Sequence, residues 1–334
     1  MMHALRTSLL AAGLTCALSG CVDAWLGHPG QPDQTPTSAS WQFSDAARTL
    51  VDDTVASLPP IVVDHAAYVR RPTGASSLLD GLRQRIWADA VNVKTKPSRW
   101  QAPYITRLEE QVRHVPHPVQ LVALTHTLPT HPASSPWPDA WRLVSSAAEH
   151  SDRWVHGLML LGTGPQADTV WLDLTAIEDH APALALADSL ARAGRTVLLV
   201  GCMRGSEDQL MACIRTLRSA PANARLFLLI DGLGNPLTAP GLLNIALQQI
   251  DLFGRMRYAS AYPYPAINTH VSLDRLVWAD LLAADEVAPL REIYAHNPWL
   301  FDLVLKRRLK LPGTSLGFTA DVFGPLPAAP APAG

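Results

Sequence analysis

The amino-acid sequence predicts an α/β fold with a three-layer core, a mainly parallel sheet and a helix-rich C-terminal portion. Three short segments, at 170–174, 195–200 and 225–230, are apolar almost throughout. Parallel strands that are buried on both faces have this composition. Segments with helical spacing of apolar residues separate them, and such strand–helix–strand units form right-handed crossovers that pack helices against the sheet.

The first half of the chain is predicted to mix helices and strands. Apolar residues recur at helical spacing in three segments, and short apolar runs mark three strands. The predicted helices cover 45–57, 76–91 and 138–148, and the predicted strands cover 119–124, 154–161 and 169–174.

The central helices carry recognisable end signals. Asp179 is placed to cap a helix at 182–193, and Gly194 follows its last residue. Ser206 and Gln209 have the spacing of a capping box, which predicts the start of a helix at 206.

The remainder of the chain is predicted to be mostly helical. Asn297 before Pro298 is a credible cap, because proline in the first turn lacks an N–H that would be unpaired anyway. The predicted helices after Gly232 cover 241–253, 272–284, 287–295 and 298–310.

The N-terminus has the layout of a cleaved secretory signal. Arg6 supplies a positive charge, an apolar run covers 8–18, and small residues precede Cys21. The apolar run is too short to span a bilayer as a permanent helix.

Leu18, Ser19, Gly20 and Cys21 resemble the lipobox of bacterial lipoproteins, and the resemblance covers only these first residues. It implies cleavage before Cys21 and a diacylglycerol on the cysteine sulfur. The acyl chains, which palmitate would label, would attach the protein to a membrane. Aspartate after the cysteine tends to retain such proteins in the inner membrane of enteric bacteria. Val22 occupies that position here, so the resemblance implies an outer-membrane lipoprotein that faces the periplasm, with the inner membrane or cell surface as alternatives.

The predicted organisation has four parts. A signal peptide is followed by a lipidated flexible tether, a globular α/β region and a Pro/Ala-rich tail that is expected to be disordered. A candidate boundary between two subdomains of the globular region lies near 150–168. These parts cover 1–20, 21–40, 41–323 and 324–334.

Two cysteines remain after the signal is removed and Cys21 is acylated. Cys202 is predicted directly after a strand, and Cys213 on the helix that follows. An oxidising periplasm favours a disulfide between them, and two separate small apolar residues are the alternative.

Composition excludes several classes of function. Hydrophobic residues make up 48% of the chain, charged residues 17%, and the formal net charge is −2. This charge balance gives no basic surface for DNA or RNA, so no nucleic-acid partner is expected. The twelve histidines lack the spacing of zinc ligands, and no metal or other cofactor is expected.

Candidate catalytic residues are few. Ser315 lies in a Gly-Thr-Ser-Leu-Gly segment that matches the nucleophile elbow of α/β-hydrolases, but a helix end precedes it and no histidine follows it. Asp173 and Asp231 follow predicted strands, where ligands bind in open parallel sheets. The turn at 201–205 lacks the lysine and serine or threonine of a phosphate-binding loop.

Three functional hypotheses result. The first is a non-catalytic envelope adaptor that binds another protein of a secretion, pilus or surface-assembly system. The second is a periplasmic hydrolase that uses Ser315 or a strand-end site near Asp173 and Asp231. The third is a lipoprotein that binds a small ligand. Five aromatic side chains are candidates for lining a groove for peptide or glycan, and isolated core or rim residues are the alternative: Tyr258, Tyr262, Tyr264, Trp299 and Phe301.

Overall fold

A computed structural model describes most of the globular region. The lipobox, the tether and the predicted helix at 76–91 lie outside the described residues. The described residues are 43–69, 108, 110–113, 115–125, 141–145, 158–160, 169–174, 179–232, 236–262, 265 and 271–328.

Eight described strands form two sheets. The first sheet has the order β1-β2-β3 and is parallel; the second has the order β4-β5-β6-β7-β8 and is parallel except for the β4–β5 pair. The strands are β1 Val62–Val69, β2 Val119–Thr125, β3 Trp141–Ser145, β4 Leu158–Leu160, β5 Thr169–Asp173, β6 Thr196–Val200, β7 Leu226–Ile230 and β8 Met256–Tyr258.

The helices begin and end largely where their end signals predict. Asp179 caps α2, Ser206 and Gln209 form the capping box of α3, and Asn297 caps α7. The helices are α1 Asp45–Ala56, α2 His180–Arg192, α3 Glu207–Ser219, α4 Ala239–Leu247, α5 Leu273–Trp278, α6 Val287–His296 and α7 Pro298–Arg308.

Several sequence predictions are wrong. The segment predicted as a helix at 138–148 contains strand β3, because its backbone pairs with β2. Strands β1 and β8 were not predicted, and the helices predicted at 241–253 and 272–284 end early, at Leu247 and Trp278. Pairing with a distant strand overrides local apolar spacing in such short segments.

The two sheets adjoin at both edges. β8 lies beside β1, where the Ala261 N–H donates to the Ala66 carbonyl at 2.8 Å, and β3 contacts β4. The indole N–H of Trp171 on β5 donates to the His65 carbonyl of β1 at 2.9 Å. The eight strands therefore surround a shared interior in a closed, barrel-like arrangement.

The core is divided by the strands. A small inner cluster lies inside the strands, and a much larger outer cluster lies between the strands and the helices. The α/β class, the parallel strands and the helix-rich C-terminal portion are confirmed. The layer that faces the inner side of the five-stranded sheet is the three-stranded sheet. The inner cluster consists of Ala66, Val122, Trp171, Leu198, Val200, Phe227, Leu229, Ala259 and Ala261.

The first residues of the predicted tail lie on the domain. Leu326 packs against the inner cluster, and the Arg225 guanidinium donates to the Pro327 carbonyl at 2.8 Å and to Thr196 Oγ1 at 2.7 Å. Thr196 begins β6 and Arg225 precedes β7, so the tail covers the amino ends of these strands. The sequence placed residues 324–328 in a disordered tail, whereas these contacts attach them to the domain; 329–334 lie outside the described residues.

Candidate functional site

Two carboxylates and one guanidinium lie at the carboxyl ends of the central strands. Alternate residues of a strand share a face, so Asp173 shares the inner face of β5 with Trp171, and Asp231 directly follows the last residue of β7. Arg204 follows β6 and forms an ion pair with Asp231. Asp173, Arg204 and Asp231 are called the strand-end site below.

Asp231 is fully buried, and one of its two carboxylate oxygens accepts hydrogen bonds from three N–H donors. Oδ2 accepts from Arg204 Nη2 at 2.8 Å, from Arg204 Nε at 2.9 Å and from the Gly201 N–H at 2.9 Å. Oδ1 is buried and has no hydrogen-bond partner in the described part of the chain. A buried acceptor left without a donor costs about 1–3 kcal/mol, so the hydrogen bonding of Oδ1 is incomplete within the described part of the chain.

Local backbone geometry brings Arg204 to Asp231. Gly201 has a φ of +90°, which a residue with a Cβ rarely adopts, and a 3₁₀ turn from Cys202 to Arg204 follows it. The turn reverses the chain after β6, so the Arg204 side chain reaches the end of neighbouring β7. The glycine-rich segment that superficially suggested a phosphate site thus builds an ion pair.

Burial dominates the electrostatics of Asp231. Removal from water raises the pKa of the Asp231 carboxyl, the positive charge of Arg204 opposes this, and the negative charge of Asp173 adds to it. Lys306 on α7 also lowers the pKa. This effect of Asp173 shows that the two aspartates lie within electrostatic reach of each other.

A second buried polar group joins β1, the end of β8 and α7. Asp64 accepts from the Ser260 N–H at 2.9 Å, from Ser260 Oγ at 2.6 Å and from the Trp299 indole N–H at 2.9 Å. Asp64 is fully buried. Nothing local in the sequence indicated β1 or the distant partners of Asp64.

A buried ion pair on α7 lies close to Asp64. Lys306 Nζ donates to Asp302 Oδ2 at 2.8 Å and to the Ala259 carbonyl at 2.9 Å. Burial raises the pKa of Asp302 to about 6, against the opposing effect of Lys306. The i, i+4 spacing of Asp302 and Lys306 was the signal in the sequence that could have indicated this pair.

Ser315 lies on an exposed turn after α7. The turn joins Lys310 to Gly317 through an isolated bridge, and the described residues include no strand directly before Ser315 and no helix directly after it. Gly313 has a φ of +70°, and a Cβ on Gly317 would collide with the Leu309 carbonyl oxygen. Turn geometry thus accounts for both glycines, and the nucleophile-elbow architecture is absent from this described segment.

Cys202 and Cys213 are placed as a disulfide. Their sulfur atoms are in contact and their Cα atoms are 6.7 Å apart, which is within the range that a bridge accepts. Both residues are buried, Cys202 beside β6 and Cys213 on α3. A bridge there would fasten α3 to the turn that carries Arg204.

Two large apolar side chains are exposed on adjoining segments. Trp278 is 75% exposed at the end of α5, and Leu316 is 49% exposed on the turn after α7. The Gly313 N–H donates to Asp280 Oδ2 at 2.9 Å, and the Lys310 N–H donates to the Leu281 carbonyl at 3.0 Å. These bonds fasten the turn to the end of α5. Trp278 and Leu316 are called the exposed apolar patch below.

The aromatic side chains that the structure describes do not line a groove, so this suggestion from the sequence is wrong for them. Tyr258, Tyr262, Trp299 and Phe301 are fully buried in the core, and Tyr264 lies outside the described residues. Their rings pack on one another and on the sheet, for example Tyr258 against Trp299 with centroids 6.5 Å apart. They stabilise the domain and offer no surface to a ligand.

Two further findings concern the described residues as a whole. No cluster of three or more His, Cys, Asp or Glu side chains among them has the arrangement of a metal site. None of the helices described is both long and apolar enough to cross a bilayer.

Comparison with protein-family models, with curated proteins and with solved structures found no match to this chain.

Proposed function

We propose that the protein is a lipid-anchored envelope protein that faces the periplasm and binds another envelope protein without catalysing a reaction. The observation that carries the proposal is the exposed apolar patch. Tryptophan is one of the residues enriched among those that dominate protein–protein binding energy, and a tryptophan exposed to 75% gains from being covered.

The support of the patch favours binding by a preformed surface. Hydrogen bonds to Asp280 and Leu281 hold the turn of Leu316 against the end of α5, so little conformational entropy is lost when a partner covers both side chains. Truncation of a central tryptophan in an interface costs about 2–4 kcal/mol of binding free energy. This corresponds to roughly 30-fold to 1000-fold in Kd.

The predicted lipid anchor supplies the cellular context. The tether at 21–40 has twenty residues, and a flexible chain of that length has a root-mean-square end-to-end distance of about 25 Å. Such a tether would keep the domain near the membrane yet let it reorient toward a membrane-embedded partner. Together with the patch, it supports an adaptor of a secretion, pilus or surface-assembly system.

The test is site-specific photo-crosslinking in native membranes. A photoreactive residue at position 278 is expected to trap a discrete envelope protein, and the same residue at position 215, an exposed site on α3, is the matched control. Trp278→Ala and Leu316→Ser should abolish co-purification of the trapped partner, while Ser315→Ala should not. Equal crosslinking from positions 278 and 215 would refute the adaptor.

A periplasmic hydrolase remains the second candidate, and one observation favours it. Asp173 and Asp231 lie at strand ends, and burial raises the pKa of Asp231, as it does for carboxyls that act as general acids. Ser315 lacks comparable support because its turn has neither the strand nor the helix of a nucleophile elbow. Turnover of an ester, amide or glycoside that is lost in Asp231→Asn and retained in Ser315→Ala would favour this candidate.

A further inference from the structure

The last described residues of the chain lie across one end of the strand arrangement. The Gly324 carbonyl accepts from His65 Nε2 on β1 at 3.1 Å, and the Pro327 carbonyl accepts from Arg225 Nη1 at 2.8 Å. Between these two bonds, Leu326 packs against the inner cluster. Residues 324–328 are called the strap below, and His65, Arg225 and the inner cluster are called the strap site.

The strap has an extended backbone. Gly324 has a φ of −93° and a ψ of −176°, and the rings of Pro325 and Pro327 hold φ near about −65°. A segment with alternating prolines favours the polyproline II conformation, which makes no internal hydrogen bonds. Its carbonyl oxygens are therefore available to accept from a binding surface.

The strap site supplies the groups that such a segment can use. Proline has no N–H, so a surface that binds a proline-flanked segment has to donate to carbonyl oxygens and cover apolar side chains. His65 and Arg225 are the donors, and the inner cluster, which includes Trp171 and Phe227, is the apolar surface. Domains that recognise proline-rich peptides also use surfaces lined by aromatic side chains.

The strap can leave its site without disturbing the core that precedes it. Pro325, Pro327 and Ala328 are exposed, and Leu326 is only partly buried. Phe323, directly before the strap, is fully buried and stacks on Tyr258 with ring centroids 5.4 Å apart. The chain is thus anchored up to Phe323, and release of the strap would uncover the strap site alone.

We propose that the strap site binds an extended, proline-flanked leucine segment of another protein, and that the strap occupies this site as an autoinhibitory segment of the same chain. The strap itself demonstrates that the site admits this chemistry. An incoming segment places its leucine against the inner cluster and offers carbonyl oxygens to His65 and Arg225. This binding activity goes beyond the adaptor role and does not depend on the exposed apolar patch.

The experiment measures binding of a fluorescent peptide to the full chain by fluorescence anisotropy at pH 7.5. The probe is Gly-Pro-Leu-Pro-Ala, and Gly-Pro-Ser-Pro-Ala is the matched control. The wild type should bind the leucine peptide about tenfold more tightly than the serine peptide, because only leucine gains from contact with the inner cluster. Leu326→Ser should bind the leucine peptide about tenfold more tightly than the wild type, as expected if the strap occupies its site for about nine-tenths of the time.

Two control variants separate release of the strap from general effects of substitution. Leu237→Ser changes an exposed leucine beyond the carboxyl end of β7, and it should bind the leucine peptide as the wild type does. In the Leu326→Ser background, Arg225→Ala should weaken binding about tenfold because a charged donor is lost. Arg291→Ala, which changes an exposed arginine on α6, should leave binding unchanged in that background.

The proposal can also be tested without the strap variant. If Leu326→Ser does not fold, the comparison of both peptides with the wild type and with Arg225→Ala decides the question. Equal binding of the two peptides, no binding of the leucine peptide by the wild type, or equal affinity of the wild type and Leu326→Ser would overturn the proposal.

Discussion

Replacement of Asp64 by alanine tests the closed arrangement of the strands most directly. Asp64 lies on β1 and accepts hydrogen bonds from Ser260, which follows β8, and from Trp299 on α7. The variant Asp64→Ala leaves three buried donors without this acceptor: the Ala66 N–H, the Ser260 N–H and the Trp299 indole N–H. It therefore removes the polar contact by which the first strand holds the last strand and a helix.

The size of the effect follows from the unpaired donors. Each buried donor left without an acceptor costs about 1–3 kcal/mol, so the loss of three bonds should lower the free energy of unfolding by about 3–9 kcal/mol. This is a large part of the 5–15 kcal/mol that is typical of a whole domain. Trp299→Phe keeps a ring in the core and removes one donor, so it should cost less than Asp64→Ala.

The assay is urea denaturation at pH 7.5, followed by circular dichroism. Asp251→Ala is the control, because its ion pair with Arg218 is exposed and should contribute less than about 1 kcal/mol. The double variant of Asp64 and Trp299 should be less destabilised than the sum of the two single variants, since the shared bond is lost only once. A loss below about 1 kcal/mol for Asp64→Ala, or strict additivity, would refute the contact between β1, β8 and α7.

Three further predictions concern the remaining features. Mass mapping without reduction should find Cys202 bridged to Cys213, and reduction should lower the free energy of unfolding by about 2–3 kcal/mol because the bridge closes a short loop; two alkylatable thiols in periplasmic protein would contradict the bridge. Burial raises the pKa of Asp302 to about 6, so the folded state holds the proton more tightly than the unfolded state between about pH 4 and 6. The titration of Asp302 should therefore lower the free energy of unfolding by about 1 kcal/mol between pH 5 and pH 7.5, which urea denaturation can measure. An Asp302→Asn variant whose free energy of unfolding falls just as steeply with pH would argue against this assignment. Metabolic labelling with palmitate should mark the wild type and not Cys21→Ala, and a soluble, unlabelled wild type would exclude the lipid anchor.

The sequence by itself determined the local structure of the central units. Strands β5, β6 and β7 are apolar throughout, and the caps of α2, α3 and α7 depend on residues within one turn of each helix. It also placed Asp173 and Asp231 at strand ends, because a charged residue that ends an apolar run marks the point where a buried strand stops. These signals are local, so a single sequence contains them.

Only the tertiary structure decided which distant residues meet. The contact of β1 with β8, the hydrogen bonds of Asp64 to Ser260 and Trp299, and the hydrogen bond of Arg225 to Pro327 join residues separated by more than one hundred positions. In the sequence, Arg204 is one residue of a glycine-rich turn. Only the structure shows that this turn brings its side chain to Asp231. The physical reason is that closure of the strands and pairing of buried charges depend on long-range packing, which local apolar spacing and capping residues do not encode.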